Sequence, residues 1–388
     1  MKTGKNKKWM LIILPAAVAM LFGVFAEQMT KGESETSQKE SETVERVEIM
    51  QEESETNTGK YADTSSYEEL DELYKEYFML GTGCEAIDHW NNQLAEIGNP
   101  EKEALISRMY NSITFGNEFK PAYNFDASSE TLFTVDFAAE ELLDWAKENG
   151  VKVRGHVLVW HAQVNPSIFA KDFKAYSGGN LTVSDTDVLD EDCLVSREVL
   201  LERLKTYIYG VLEYTYRNGY ADIIYAWDVV NEAIMEDGSY RKTKFYEILG
   251  KEYIPYAFQC AHEADPEAEL YYNDYGMNVP GRRDSVAALV RSLKEKGIRI
   301  DAVGMQGHMG MDYPTVEDFE KSLLAFAATG AKVMITEWDM SALPTVSHTA
   351  NISDTAAYRK ALNPYPETLP DSVSRIWNAR MKSFFDLF

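Results

Sequence analysis

The chain is 388 residues long, enough to bury one large core and within the span of single α/β barrels. Aromatic residues supply 12% of it, with 7 Trp and 23 Tyr, which suits a packed domain and faces that stack against flat ligands such as sugar rings. The net charge of −25, from 38 basic and 63 acidic residues, argues against nucleic acid, whose phosphates would be repelled, and favours a neutral or cationic ligand.

In chain order, residues 1–26 read first, as an export signal. "MKTGKNKK" is a basic opening, and the apolar run "WMLIILPAAVAMLFGVFA" from Trp9 to Ala26 follows, with Val24 and Ala26 suited to a cleavage site. The run is also near the lower limit for spanning a bilayer, so an uncleaved membrane anchor is the alternative, and the expected location is secreted or at the cell surface. Residues 27–66 are Glu, Ser and Thr with Lys, and Tyr61 is their only aromatic. Such a segment buries too little apolar surface to offset its ordering entropy and reads as a disordered, acidic, self-repelling tether. Cys84, Cys193 and Cys260 are widely spaced and odd in number, which supports neither a disulfide framework nor a metal site; they read as small buried hydrophobes.

From residue 67 to 388, short apolar runs alternate with amphipathic helical stretches, the pattern of repeated βα units around a parallel sheet. Seven strands are expected: "FMLGTG" (78–83), "NSITFGN" (111–117), "VKVRGHVLVWH" (151–161), "IIYAWDVVNE" (223–232), "ELYYND" (269–274), "IDAVGMQGH" (300–308) and "AKVMITEWD" (331–339). Helices between them include 136–150 and 283–297, each ending on a glycine suited to a C-cap.

Nearly every expected strand finishes in polar or ionisable groups: Asn117 with Lys120, His156 with Trp160 and His161, Asn231 with Glu232, Asn273 with Asp274, Gln306 with His308, and Glu337 with Asp339. In a (β/α)₈ barrel all C-terminal strand ends meet on one face, so these six clusters would surround one pocket. Alternation along each strand puts His156, Leu158 and Trp160 on one face, Gln306 with His308 on another, and Glu337 with Asp339 on a third. Singly, each has a bland explanation, His156 as a satisfied core histidine or Asp339 as a helix cap; six sets at equivalent places do not.

Two carboxylates stand out, Glu232 ending the fourth strand and Glu337 ending the seventh. Facing each other across a pocket, they supply what glycosidic cleavage needs, a proton donor to the leaving oxygen and a nucleophile for the anomeric carbon. Mutual repulsion would raise the pKa of one, while His308 and Asp339 are placed to build the network that keeps Glu337 ionised. Metal binding is the rival use of His and Glu, but no His pair shows ligand spacing on one helix, and neither metal nor cofactor is expected.

"ITFGNEFKP", "RGHVLVWHAQ", "WDVVNEA", "YYNDYGMN", "GMQGHM" and "ITEWDM", in this order and at these separations, resemble glycoside hydrolase family 10, the retaining endo-β-1,4-xylanases on a (β/α)₈ barrel. The resemblance runs from about residue 70 to the end. It implies Glu232 as acid/base, Glu337 as nucleophile, and Asn231 as the amide that holds the sugar 2-hydroxyl. It further implies that Lys120, His156, Trp160 and Gln306 line the subsite where the sugar reacts. Asn117 and Gln163 would contact the next glycone unit, and His308 and Asp339 would hydrogen-bond the nucleophile. The implied partner is xylan or another β-1,4-linked plant polysaccharide. Asn231 and Glu232 would then be exposed to a substrate cleft, not buried in a core.

The chain departs from the family twice. Gly116 stands where the family usually has Glu, so one hydrogen bond to the distal glycone sugar is expected to be missing. After Glu337 a Pro- and Thr-rich stretch leads to "DSVSRIWNARMKSFFDLF", in which Val373, Ile376, Trp377, Met381, Phe384, Phe385 and Phe388 form one apolar stripe. No eighth strand is identifiable, so the expectation is an incomplete (β/α)₈ barrel with two unpaired edges. Two alternatives to xylan hydrolysis follow: a related barrel glucanase or cellulase, and a non-catalytic glycan-binding surface protein.

Overall fold

The computed structural model describes residues 65–88, 93–173, 191–343, 363–365 and 368–388. The signal or anchor expected over 1–26, and the tether expected over 27–66 apart from Ser65 and Ser66, lie outside the described residues.

A parallel sheet of β1 Gly81–Cys84, β2 Ser112–Phe115, β3 Lys152–Gly155, β4 Ile224–Asn231, β5 Glu269–Asp274, β6 Ala302–Met305 and β7 Lys332–Ile335 pairs in chain order. Gly81 lies opposite Ser112, Ser112 opposite Lys152, Ala226 opposite Glu269, Tyr271 opposite Ala302, and Ala302 opposite Lys332. Ala226 to Asn231 of β4 are all buried, as a strand covered on both faces requires. Among the described residues β1 pairs only with β2 and β7 only with β6, so the (β/α)₈ ring is present as seven strands and stays open between them.

Helices α1 Pro100–Met109, α2 Phe137–Asn149, α3 Arg197–Arg217, α4 Tyr253–Ala264, α5 Pro280–Glu295, α6 Val316–Ala327 and α7 Asp371–Phe385 alternate with the strands. Helix α2 starts where Asp136 accepts from the Ala138 amide and stops at Gly150, which takes the left-handed conformation that ends a helix. Along α3, Leu200, Leu204, Ile208 and Val211 recur at helical spacing and are all buried, which fixes the face it turns to the core.

Three expected strands break. Residues 151–161 divide into β3 and a short strand Val159–Trp160 beside β4, around a cis His156–Val157 peptide. Residues 300–308 end at Met305 and resume as His308–Gly310 after left-handed Gly307, and 331–339 end at Ile335 and resume as Asp339–Ser341. Those two resumed pieces pair with each other, His308 opposite Asp339. The ladder stops where polar side chains begin to bond one another. One expectation falls with it: Leu158 is buried in the core while His156 turns to Asp228, so His156, Leu158 and Trp160 do not share a strand face.

The stripe on α7 also divides. Phe384 is fully buried and edge-on to Phe319 of α6 at 5.3 Å, whereas Ile376 and Phe388 are 59% and 52% exposed. The Trp377 indole donates to the Met340 carbonyl at 2.8 Å. Phe385 lies against Tyr74 and Phe78, just before β1, and against Trp338, just after β7, at centroid distances of 5.2, 6.0 and 5.9 Å. Cys84 and Cys260 are buried, but Cys193, in the surface turn Glu191–Cys193, is exposed, contrary to expectation.

Candidate active site

Strand β4 delivers the first carboxylate. A register shift between Asp228 and Val230 sets Asn231 opposite Asn273 of β5, and Glu232 follows at a left-handed φ of 57°. A bulge of this kind re-aims side chains, and a non-glycine residue at positive φ is held there by its surroundings. Asn231 and Glu232 are 2% and 6% exposed, so the cleft does not lay them open as expected. They tolerate burial because they are bonded. The Glu232 Oε1 accepts from Gln306 Nε2 at 3.0 Å and from Asn231 Nδ2 at 3.3 Å, and the Asn231 Oδ1 accepts from Asn273 Nδ2 at 3.0 Å.

The second carboxylate, Glu337, follows β7. Its Oε1 accepts from Asn273 Nδ2 at 2.8 Å, and its Oε2 lies 3.4 Å from His308 Nε2. His308 also reaches Gln306 Oε1 at 3.1 Å and Asp339 Oδ2 at 3.2 Å. Glu232 and Glu337 are therefore joined twice, through Gln306 and His308 and through Asn231 and Asn273. Burial would push the Glu337 carboxyl up, but the His308 hydrogen bond and the positive charge of His156, His308 and Arg154 override it and hold it well below the usual carboxylate range. Burial likewise opposes charge on His308, yet its bonds to Asp339 and Glu337 raise it to about 10.

The floor is held by Arg154, fully buried on β3, which pairs with Asp228 of β4, donates to Thr114 Oγ1 of β2 at 3.2 Å and donates to the Thr336 carbonyl after β7 at 3.0 Å. The Asp228 carboxylate also takes the His156 Nδ1–H at 2.7 Å, which fixes the ring. Trp160 stands beside His156 with centroids 6.1 Å apart, and the Lys120 ammonium lies 5.4 Å from the Trp160 ring. Burial lowers the Lys120 pKa against the pull of Glu337, Glu85, Glu118 and Glu232.

Asn117 organises the other wall. Its Oδ1 accepts from Lys120 Nζ at 3.0 Å and from Gln163 Nε2 at 2.9 Å, Gln163 being another residue at positive φ. Its Nδ2 donates to Glu85 Oε1 at 2.5 Å. The space over Gly116 is thus not empty: a Cβ there would lie 2.2 Å from Glu85 Oε1.

Residues 69–380 match Glycosyl hydrolase family 10. The chain belongs to this family. It is 36% identical over 321 residues to endo-1,4-beta-xylanase A of Xylanibacter ruminicola, covering 82% of this chain and 78% of that one. It is also 36% identical over 312 residues to endo-1,4-beta-xylanase A of a Caldicellulosiruptor species, but spans only 41% of that longer protein. The solved xylanase XynB from Paenibacillus barcinonensis, complexed with a conduramine derivative, superposes with a TM-score of 0.65 at 31% identity, covering 84% of this chain and 83% of that one. The intracellular xylanase TsXylA of Thermoanaerobacterium saccharolyticum, in complex with xylotriose, gives 0.65 at 27% identity, covering 84% and 85%.

Within this family 10 site, sequence reasoning put Asn273 at a strand end but not among the functional residues, although it touches both Asn231 and Glu337. Its strict placement needs Gly304, where a Cβ would lie 2.5 Å from Asn273 Oδ1. Asp274, counted among the pocket clusters, instead accepts from the Tyr272 hydroxyl at 2.7 Å and the Tyr275 amide at 2.9 Å; burial, against Arg282, lifts it to about 7. Arg154, Asp228 and Glu85 were also missed; the "RGH" and "WDV" runs carried the first two, and a lone Glu beyond a strand carried no signal for the third.

Proposed function

We propose that the chain is a retaining endo-β-1,4-xylanase with Glu232 as acid/base and Glu337 as nucleophile. The observation that carries this reading is the paired bridge between the two carboxylates, with positive charge gathered on the Glu337 side. In the first step the Glu337 carboxylate attacks the anomeric carbon as the glycosidic C–O bond breaks, and Glu232 gives its proton to the departing oxygen. In the second, Glu232 takes a proton from water, the water oxygen attacks the same carbon, and the bond to Glu337 breaks. Asn231 holds the 2-hydroxyl, a contact that strengthens as oxocarbenium character develops.

His156, Trp160, Lys120 and Gln306 line the reacting unit in this reading, and Asn117 with Gln163 the unit beyond. His308 and Asp339 keep the nucleophile charged. Release of reducing ends from xylan by the wild-type chain, abolished by Glu232→Gln and by Glu337→Gln, is the expected result, with a loss of about a thousandfold or more in each. Equal rates in wild type and both variants, or activity on cellulose alone, would overturn it. An extracellular location is proposed on the N-terminal sequence alone, and fractionation of cells into cytoplasm, envelope and medium tests it.

A further inference from the structure

Glu85 follows β1, on a different strand from Asn117, and its backbone is pinned on three sides. Its amide donates to Glu96 Oε2 at 3.2 Å, and its carbonyl accepts from the Glu96 and Ile97 amides at 3.0 and 3.1 Å. The side chain is thereby aimed over Gly116, into the space that any larger residue at 116 would fill. There it meets Asn117, and through it Lys120 and Gln163. Its Oε2 takes no hydrogen bond from a described residue and Glu85 is only half-buried, so beside Asn117 one carboxyl oxygen is left to bond a ligand. Burial, and the charges of Glu118 and Glu96 outweighing Lys120, lift the carboxyl to about 7, so near neutrality it accepts or donates, as a sugar hydroxyl does.

We propose that Glu85 is a sugar-binding residue for the second glycone unit, its carboxyl supplying from the end of β1 the contact for which Gly116 leaves room. This rests on the xylanase reading, in which Asn117 and Gln163 face that unit. Two substrates separate the roles: an aryl β-xyloside, whose single sugar stops short of Asn117, and an aryl β-xylobioside, whose second sugar reaches it. Glu85→Ala is expected to lower the kcat/KM ratio of xylobioside to xyloside by about tenfold or more, the weight of a hydrogen bond to a charged group. Glu85→Gln, which keeps the shape, shifts the ratio in the same direction. Glu85→Ala combined with Gly116→Glu, which returns a carboxyl from the neighbouring strand, restores it.

A ratio within about twofold of wild type in folded Glu85→Ala and Glu85→Gln would overturn the proposal. So would a fall that Gly116→Glu does not restore, since Glu85 would then only prop Asn117. Failure of the wild type on xylan and on both aryl glycosides would instead remove the xylanase reading beneath it.

Discussion

At the scale of single residues, the pair His308 and Glu337 decides the charge state of the site. Each is partly exposed, 21% and 27% at the side chain, yet each shifts strongly because they bond to each other and, for His308, to Asp339 as well. Substituting His308→Asn removes a hydrogen bond and a positive charge from Glu337, so its carboxyl moves back towards the ordinary range. The acid limb of the kcat/KM profile on xylan is expected to move up by about one to two pH units. Stability carries the opposite sign at each end. His308 is raised from 6.5 to about 10, so its contribution is complete below about pH 6.5 and is lost as pH climbs towards 10. Glu337 is lowered, so its contribution is present above the ordinary carboxylate range and fades only in strong acid. Thermal melts between pH 7 and pH 10 should show a fall in Tm for the wild type that is shallower in His308→Asn.

At the scale of elements, strands β4 and β5 were legible almost to the residue, expected over 223–232 and 269–274 and found over Ile224–Asn231 and Glu269–Asp274. Both run between paired strands on either side, so the apolar run and the ladder end together. The strands expected over 300–308 and 331–339 were too long because alternation continued in the text after the ladder had stopped. Side chains such as Gln306, His308 and Glu337 were legible as strand-end polar groups, and so was the grouping of His308 and Asp339 with Glu337, but the bonds from Gln306 to Glu232 and from Asn273 to Asn231 and Glu337 were not. Which donor meets which acceptor depends on turns and bulges that no periodicity records. Gly304 illustrates this: a methyl group there must displace the Asn273 side chain that bridges Asn231 and Glu337. Gly304→Ala is expected to lower kcat/KM on xylan by about tenfold to a hundredfold while leaving a folded protein, checked by far-UV circular dichroism beside the assay. Glu85 was beyond reach for a similar reason, since its role emerges only when a glycine on the next strand leaves space for it.

At the scale of the whole molecule, seven strands supply the described sheet, and its two edges are brought into relation by aromatic side chains. Phe384 anchors α7 on α6, and Phe384→Ala should cost about 3–4 kcal/mol of stability, measured by urea denaturation with an unchanged m-value. Phe385 touches residues before β1 and a residue after β7, contacts that join opposite ends of the barrel sequence. A junction of that kind closes the longest loop in the domain, which makes it a late event in folding. The cleft residues can assemble on their strands before α7 seats itself. Phe385→Ala is therefore expected to speed unfolding about five- to thirtyfold, as about 1–2 kcal/mol of lost contact implies, while the refolding rate stays near that of the wild type. Stopped-flow chevrons would read both arms. The clasp would then act as a latch on lifetime: it sets how long the assembled barrel persists, not how fast it forms.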